Sequence, residues 1–274
     1  MTDYAKYLRL EKFPLIWCPG CGDGIVLKAI LRAVDRIGLD RDEICMVSGI
    51  GCSSRTPGYV DVNTLHTTHG RALTFATGVK MTRPDLTVIV VTGDGDATAI
   101  GGNHFIHAAR RNIDITVILY NNWIYGMTGG QVSPATPSGD RASTAPYGSI
   151  EPNFDIAALA AGAGACFVAR ETVAKPLLLD KLIERAIRKK GFSLVEVMTP
   201  CPTTYGRLNR KGDAVQMTAY LKEHSTSKAK AEALSGEERE RAIVTGVLVD
   251  VDKPEYSEQY ARLVERLRGA PALA

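Results

Sequence analysis

Apolar residues along this chain fall into two alternating rhythms. Short unbroken runs at 44–48, 86–91, 115–120, 165–169 and 192–198 have the length of buried strands. Between them, apolar positions recur three and four residues apart. The clearest case is Ile25, Leu27, Ile30, Leu31, Val34 and Ile37, which predicts a helix over 24–37 with Gly38 as its stop. The same spacing predicts helices over 68–81, 97–111 and 175–190, and another beginning at 156–161. Alternation of this kind predicts an α/β fold, a doubly wound and mostly parallel sheet. A polar stretch rich in Gly, Ser, Thr and Pro at 122–153 interrupts it. A loop of that length inside a compact domain is functional or disordered. Past residue 199 the order breaks down into a charged helical stretch at 225–241, a strand at 242–249 and a closing helix at 257–268. The organisation expected is an α/β domain over 1–200 and an irregular C-terminal extension over 201–274.

Two polar clusters sit where this topology would bring them together. Gly93-Asp94-Gly95-Asp96 follows one apolar run and Asn121-Asn122 follows the next, with a helix-length stretch between. A right-handed βαβ crossover puts both strand ends on one edge of the sheet, the edge at which open α/β folds bind ligands. Asp and Asn oxygens are hard ligands for magnesium, and glycines let backbone N–H groups approach a diphosphate. Asp94, Asn122 and a backbone carbonyl, that of Ile124, are therefore the expected ligands of a metal diphosphate. Either cluster alone would read as an ordinary turn; the pair, each past a strand, points to a site.

Composition narrows the setting. The 274 residues are 45% hydrophobic and 23% charged, ordinary values for a globular protein. A net charge of +3, with Lys and Arg interspersed among acids, argues against nucleic acid. No apolar run approaches a membrane span, and the first residues lack the pattern of a signal peptide. The expected location is the cytoplasm, where closely spaced thiols more often bind metal or do redox work than form disulfides. Of the six cysteines, Cys45 and Cys166 lie in apolar runs and read as core fillers. Cys18 and Cys21 form a Cys-x-x-Cys pair, while Cys52 and Cys201 each follow a strand. These four could hold a [4Fe–4S] cluster or a structural zinc. Cys52 follows a strand of the same sheet as Asp94. An electron acceptor has reason to be near a reactive cofactor; a structural zinc does not.

These residues carry a resemblance. The Gly-Asp-Gly and Asn-Asn pair looks like the thiamine diphosphate motif. Together with Trp17-Cys18-Pro19-Gly20-Cys21-Gly22, Gly49-Ile50-Gly51-Cys52-Ser53, His66-Thr67-Thr68-His69-Gly70-Arg71, Gly126-Met127-Thr128-Gly129-Gly130-Gln131 and Pro200-Cys201, it resembles the β subunit of 2-oxoacid:ferredoxin oxidoreductases, from about residue 15 to 207. The resemblance implies thiamine diphosphate, Mg2+ held by Asp94, Asn122 and Ile124, and a [4Fe–4S] cluster on Cys18, Cys21, Cys52 and Cys201. It implies that Ile50, Gly51, Cys52, Ser53, His69, Gly93, Gly95, Asp96, Gly126 and Met127 line the cofactor, and that Arg55 meets the substrate carboxylate. His69 is expected at a helix start, N-capped by Thr68; His66, His104 and His107 read as structural.

The implied reaction is reversible oxidative decarboxylation of a 2-oxoacid to acyl-CoA and CO2, with reduction of ferredoxin. Some members carry a substrate-contacting lysine where this chain has Gly129, and Gly129-Gly130 is more similar to the 2-oxoglutarate type than to the pyruvate or branched-chain types. Arg71, Arg141 and Arg207 are candidate cations for a distal carboxylate. The sequence shows neither a second thiamine-type domain nor a ferredoxin run of four close cysteines. An α subunit is therefore expected to complete the pocket, in an αβ dimer of dimers, with ferredoxin separate. Two rival readings remain: a non-oxidative thiamine diphosphate-dependent decarboxylase subunit, and a zinc-stapled nucleotide-binding module.

Overall fold

The computed structural model describes residues 2–268. Its first half runs α1 (Asp23–Ile37), β1 (Ile44–Ser48), α2 (Thr56–Tyr59), β2 (Asn63–His66), α3 (Ala72–Thr82), β3 (Thr87–Gly93), α4 (Gly102–Arg110) and β4 (Thr116–Asn121). A small hairpin, β5 (Ile124–Tyr125) with β6 (Gln131–Val132), precedes α5 (Ile156–Ala163), β7 (Phe167–Thr172), α6 (Pro176–Arg188) and β8 (Ser193–Met198). The C-terminal part holds α7 (Ala214–Glu223), β9 (Ser225–Ser227), α8 (Lys228–Ala231), α9 (Gly236–Arg241), β10 (Ile243–Asp250) and α10 (Tyr256–Arg268).

Eight strands form one sheet in the order β2-β1-β3-β4-β8-β7-β10-β9. The first six are parallel to one another; β10 joins β7 antiparallel and β9 pairs parallel to β10. Every residue of β1, β4 and β8 is buried, as the unbroken apolar runs require of strands covered on both faces. One core layer joins the sheet to α1 and α6 through Val26, Ile30, Val34, Leu179 and Ile183. The other joins it to α3, α4 and α5 through Leu73, Ala76, Phe105, Ala109 and Ile156. Each Val, Leu, Ile or Phe side chain among these contributes about 1.5–3 kcal/mol when fully buried. Asp180 on α6 accepts from Arg32 at 2.5 Å and from Arg36 at 3.1 Å, both on α1, which fixes how those helices cross.

The chain leaves β1 toward β2 on one side, and it leaves β3 toward β4 on the other. The carboxyl ends of β1 and β3 therefore flank a topological switch point, where a crevice opens.

Three local departures from the sequence pattern have physical causes. The helix expected from residue 68 starts at Ala72, because Gly70 takes a positive φ of 72° and His69 and Gly70 are drawn toward Asp96. The helix expected over 97–111 begins as a wide π-type turn, Asp96–Ile100, before α4. Such turns gather at functional sites. The charged stretch at 225–241 divides into β9, α8 and α9, the last two started by Ser227 and Ser235 N-caps. The expected strand near 242–249 is present as β10, joined to the main sheet. Residues 1 and 269–274, at the ends of the two expected domains, lie outside the described residues.

Candidate active site

A cavity of about 210 Å³ opens at the switch point. It is lined by Ile50–Ser53 after β1, Gly93–Asp96 after β3, Asn122 and Ile124–Thr128 after β4, and by Asp23, His69 and Tyr120. All ten residues expected to line a cofactor are there, together with Asp94, Asn122 and Ile124. Arg55, Arg71, Arg141 and Arg207 do not line it. Arg55 is exposed, one turn past Cys52, and Arg71 donates to the Ile100 carbonyl at 2.9 Å.

Asp94 sits at the end of β3, almost fully buried. Its Oδ2 accepts from the Ser133 hydroxyl at 2.5 Å, and its carbonyl accepts from Thr98 at 2.6 Å. Burial pushes its carboxyl up to about 7, against the pull of the Ser133 bond. A carboxylate that costly to ionise is one that a cation would relieve. Asn122 accepts the Ile124 N–H at 3.2 Å, a short local turn that carries the chain across the cavity floor. Its neighbour Asn121 is structural. Asn121 donates to Glu196 on β8 at 2.7 Å, and Glu196 accepts from Arg170 on β7 at 2.8 Å. Among the described residues, no three His, Cys, Asp or Glu side chains converge to hold a metal ion alone. A magnesium here would draw on the Asp94 carboxylate, the Asn122 carboxamide, a main-chain carbonyl and the ligand's own phosphates. That donor set of hard oxygens fits the ion.

His69 and Asp96 are placed differently from the expectation. His69 stands in the turn before α3, Thr68 does not cap it, and its Nδ1 lies 2.6 Å from Asp96 Oδ1. Asp96 Oδ1 also accepts from Gly70 N at 2.7 Å and Ile50 N at 3.2 Å, while Oδ2 accepts from Thr92 at 2.6 Å. Although Asp96 lines the cavity, its carboxylate is wholly engaged with protein. Tyr125 packs edge-on against His69, with ring centroids 5.9 Å apart, and donates its hydroxyl to the Gly95 carbonyl at 2.9 Å. Burial and the charges of Asp94 and Asp96 push the Tyr125 phenol up to about 12, so it acts as a donor.

Cys52 and Cys201 come together at one side of the cavity, with the Cys18–Cys21 turn beside them. A Cβ on Gly126 would lie 3.3 Å from Cys201 Sγ and 3.9 Å from Cys52 Sγ, so both sulfurs reach the same cavity residue. Cys201 Sγ is 2.7 Å from the Thr204 hydroxyl, in a second π-type turn, Pro202–Gly206. The Trp17 indole donates to the Cys52 carbonyl at 2.8 Å and ties the Cys18–Cys21 turn to that loop. Burial pushes the Cys52 thiol up to about 12, followed by the charges of Asp23, Cys201 and Cys18. Burial and then Asp23 push Cys21 far above the usual thiol range. The Cys21 and Cys52 thiols, costly to ionise in this setting, are ones that a bound cation would hold as thiolates. Cys45 and Cys166 are buried in the two core layers, as core fillers should be.

Asp23, Tyr120, Tyr125, Thr128 and Ser133 are the cavity-side groups that the pattern did not single out. Asp23 is the most unusual: nearly fully buried, with neither carboxylate oxygen hydrogen-bonded. Its carboxyl is pushed up to about 7 by burial, with the Cys21 thiol as its neighbour. An acid directly after Cys-x-x-Cys-Gly was the available signal.

Comparison with known proteins agrees with this geometry. Residues 49–197 match the thiamine pyrophosphate enzyme family, C-terminal TPP binding domain. The chain is 52% identical over 268 residues to 2-oxoglutarate synthase subunit KorB of Methanocaldococcus jannaschii, covering 98% of this chain and 99% of that protein. To the subunit of the same name from Methanothermobacter thermautotrophicus it is 51% identical, covering 98% and 94%. A solved structure of 2-oxoglutarate:ferredoxin oxidoreductase from Magnetococcus marinus, with 2-oxoglutarate, coenzyme A and succinyl-CoA bound, superposes with a TM-score of 0.87 at 34% identity. That match covers 99% of this chain and 92% of the other. Cavity, strand ends and relatives agree: the chain belongs to the family of thiamine pyrophosphate-binding β subunits of 2-oxoacid:ferredoxin oxidoreductases.

Proposed function

We propose that this chain is the β subunit of a cytoplasmic enzyme that converts 2-oxoglutarate and coenzyme A to succinyl-CoA and CO2, reversibly, with ferredoxin as electron acceptor. Thiamine diphosphate with Mg2+ occupies the cavity, and Cys18, Cys21, Cys52 and Cys201 hold a [4Fe–4S] cluster. The observation that carries the reading is the loop Ile50–Ser53, which lines the diphosphate cavity and supplies Cys52 to the sulfur group. An electron acceptor so placed distinguishes oxidative from simple decarboxylation. Bound thiamine diphosphate supplies the electron sink that lets the carboxylate leave, and the cluster supplies one-electron transfer.

The chain's own residues hold and orient. Asp94, Asn122 and the Ile124 carbonyl take the metal, and the glycines beside Asp94 let main-chain N–H groups reach the diphosphate. Ile50 and Met127 offer apolar surface that keeps water from the reacting end. An α subunit supplies the other half of the pocket, in an assembly expected to be an αβ dimer of dimers. Arg55, exposed beside Cys52, is the group offered to a substrate carboxylate from outside the cavity.

The test is anaerobic purification of the chain with its partner, followed by metal analysis and a panel of 2-oxoacids with coenzyme A and a viologen acceptor. About four irons per chain, lost in Cys52→Ser, and fastest turnover of 2-oxoglutarate are expected. Stoichiometric zinc without iron would overturn the cluster assignment. Decarboxylation that needs neither coenzyme A nor acceptor would overturn the oxidative one, and a preference for pyruvate or a branched-chain oxoacid would overturn the substrate.

A further inference from the structure

We propose that Asp96 is the positioning residue of the cofactor cradle. Its carboxylate holds His69 by Nδ1, so that Nε2 is the ring nitrogen presented to the diphosphate. The inference rests on the thiamine diphosphate reading above and gives that site a part which direct lining does not explain.

A buried carboxylate facing a diphosphate would repel it, so its presence at the cavity wall needs a reason. Its bonds supply one. Oδ1 takes His69 Nδ1 at 2.6 Å, Gly70 N at 2.7 Å and Ile50 N at 3.2 Å; Oδ2 takes the Thr92 hydroxyl at 2.6 Å. One side chain thus ties together the loops after β1 and β2 and the end of β3. Both oxygens are committed to protein donors. The fit is close: a Cβ on Gly49 would fall 2.2 Å from Oδ2 and 2.5 Å from Oδ1. Gly49 is required because the carboxylate fills the space in which a side chain would stand.

The consequence falls on His69. Its side chain keeps 34% of its surface exposed whereas that of Asp96 keeps 2%, so the imidazole is the outward member of the pair. With Asp96 as an acceptor, the proton at that end belongs on Nδ1, and Tyr125 packed edge-on limits ring rotation. Nε2 is then the free ring nitrogen. A proton on Nε2 as well would let the ring bond Asp96 from one nitrogen and an anionic ligand from the other. Asp96 bonds the ring and the neutral Tyr125 packs against it; Asp94 lines the same cavity, and Arg71 follows two residues on.

The test is a double-mutant cycle on the complex, stripped of cofactor with EDTA. Binding of thiamine diphosphate and of thiamine monophosphate, each with Mg2+, is followed calorimetrically. Asp96→Asn can keep all four protein bonds, with its carbonyl toward His69, Gly70 and Ile50 and its amide toward Thr92, so the melting temperature should hold. His69→Asn can still bond Asp96 but cannot reach the Nε2 position. With the ring still held, Asp96→Asn should also keep its affinity, whereas Asp96→Ala, which releases Nδ1, and His69→Asn should each weaken thiamine diphosphate binding about tenfold or more and compress the preference for diphosphate over monophosphate. The Asp96→Ala, His69→Asn double variant should lose no more than His69→Asn alone, because Asp96 acts through His69. Additive losses, or unchanged affinity in Asp96→Ala, would overturn the proposal and leave the thiamine reading intact. No binding of thiamine diphosphate by the unaltered complex would remove both.

Discussion

Gly95 lies at the crossing of the metal strand and the aromatic wall, and replacing it with alanine isolates what that crossing contributes. Its backbone is right-handed helical, φ −69° and ψ −37°, so alanine is conformationally welcome. On that count alone the substitution stabilises by about 0.4–1 kcal/mol. The obstacle is steric. The new Cβ would fall 2.3 Å from Tyr125 Cζ and 2.4 Å from its Cε1, so the ring must leave. Leaving breaks its hydroxyl bond to the Gly95 carbonyl, about 0.5–1.5 kcal/mol. Forced repacking adds about 1–3 kcal/mol. The net expectation is a loss of about 1–3 kcal/mol, the steric terms less the backbone gain. Urea unfolding of Gly95→Ala, Tyr125→Ala and the double variant reads these contributions separately. With the ring gone, Gly95→Ala should become neutral or stabilising, a coupling of about 2–3 kcal/mol. An equal loss in the Tyr125→Ala background would refute the steric account.

Three further outcomes follow from buried charges. Lys80 and Asp114 pair at 2.7 Å, with side chains 4% and 14% exposed. Burial pulls the Asp114 carboxyl up, but the Lys80 bond and charge and the Gly191 N–H hold it below the usual range. The stability this gives is present above the ordinary carboxylate pKa and lost as pH falls through the depressed value. Lys80→Met should cost about 3 kcal/mol at neutral pH, and much less at low pH, in urea unfolding; equal costs at both would refute the pairing. Asp23 is the opposite case, raised to about 7 from 3.8. Its burden is absent below pH 3.8, grows as pH rises toward 7 and is constant above. Asp23→Asn should therefore stabilise the metal-free chain at pH 8 by on the order of 4 kcal/mol and fade to nothing near pH 4. A gain independent of pH would sink that reasoning. Ser133→Ala removes the hydrogen bond that opposes burial at Asp94, so half-maximal Mg2+ binding with thiamine diphosphate should move to higher pH; an unmoved midpoint would contradict it.

Much of the site was legible because strand ends and glycines are local features. Gly93–Asp96 and Asn122 could be assigned to one edge once two apolar runs and the stretch between them were seen, since a parallel crossover leaves no other geometry. The cysteines separated for the same reason: two lay within apolar runs and four lay in turns. What could not be read were partners distant in sequence. Ser133 reaches Asp94 from inside a polar loop, and nothing in Gly-Gln-Val-Ser marks it. Thr68 offers an N-cap and so predicts a helix start at His69, yet Asp96, 27 positions on, outcompetes the helix for it and for Gly70. The direction of β10 was equally hidden, because its alternation fits either orientation and only packing against β7 selects one.

That last strand has a consequence for how the subunit is made. The edge of β7 that faces away from β8 is closed by β10 alone, and β10 ends 78 positions after β7. At about 5–20 residues per second, a ribosome leaves that edge open for roughly 4–16 s. Once β8 has followed within that interval, Phe167–Thr172 presents unpaired backbone on a sheet otherwise able to form, a template for another nascent chain. That exposure falls after the cavity-lining residues have been translated and before the C-terminal strand has left the ribosome.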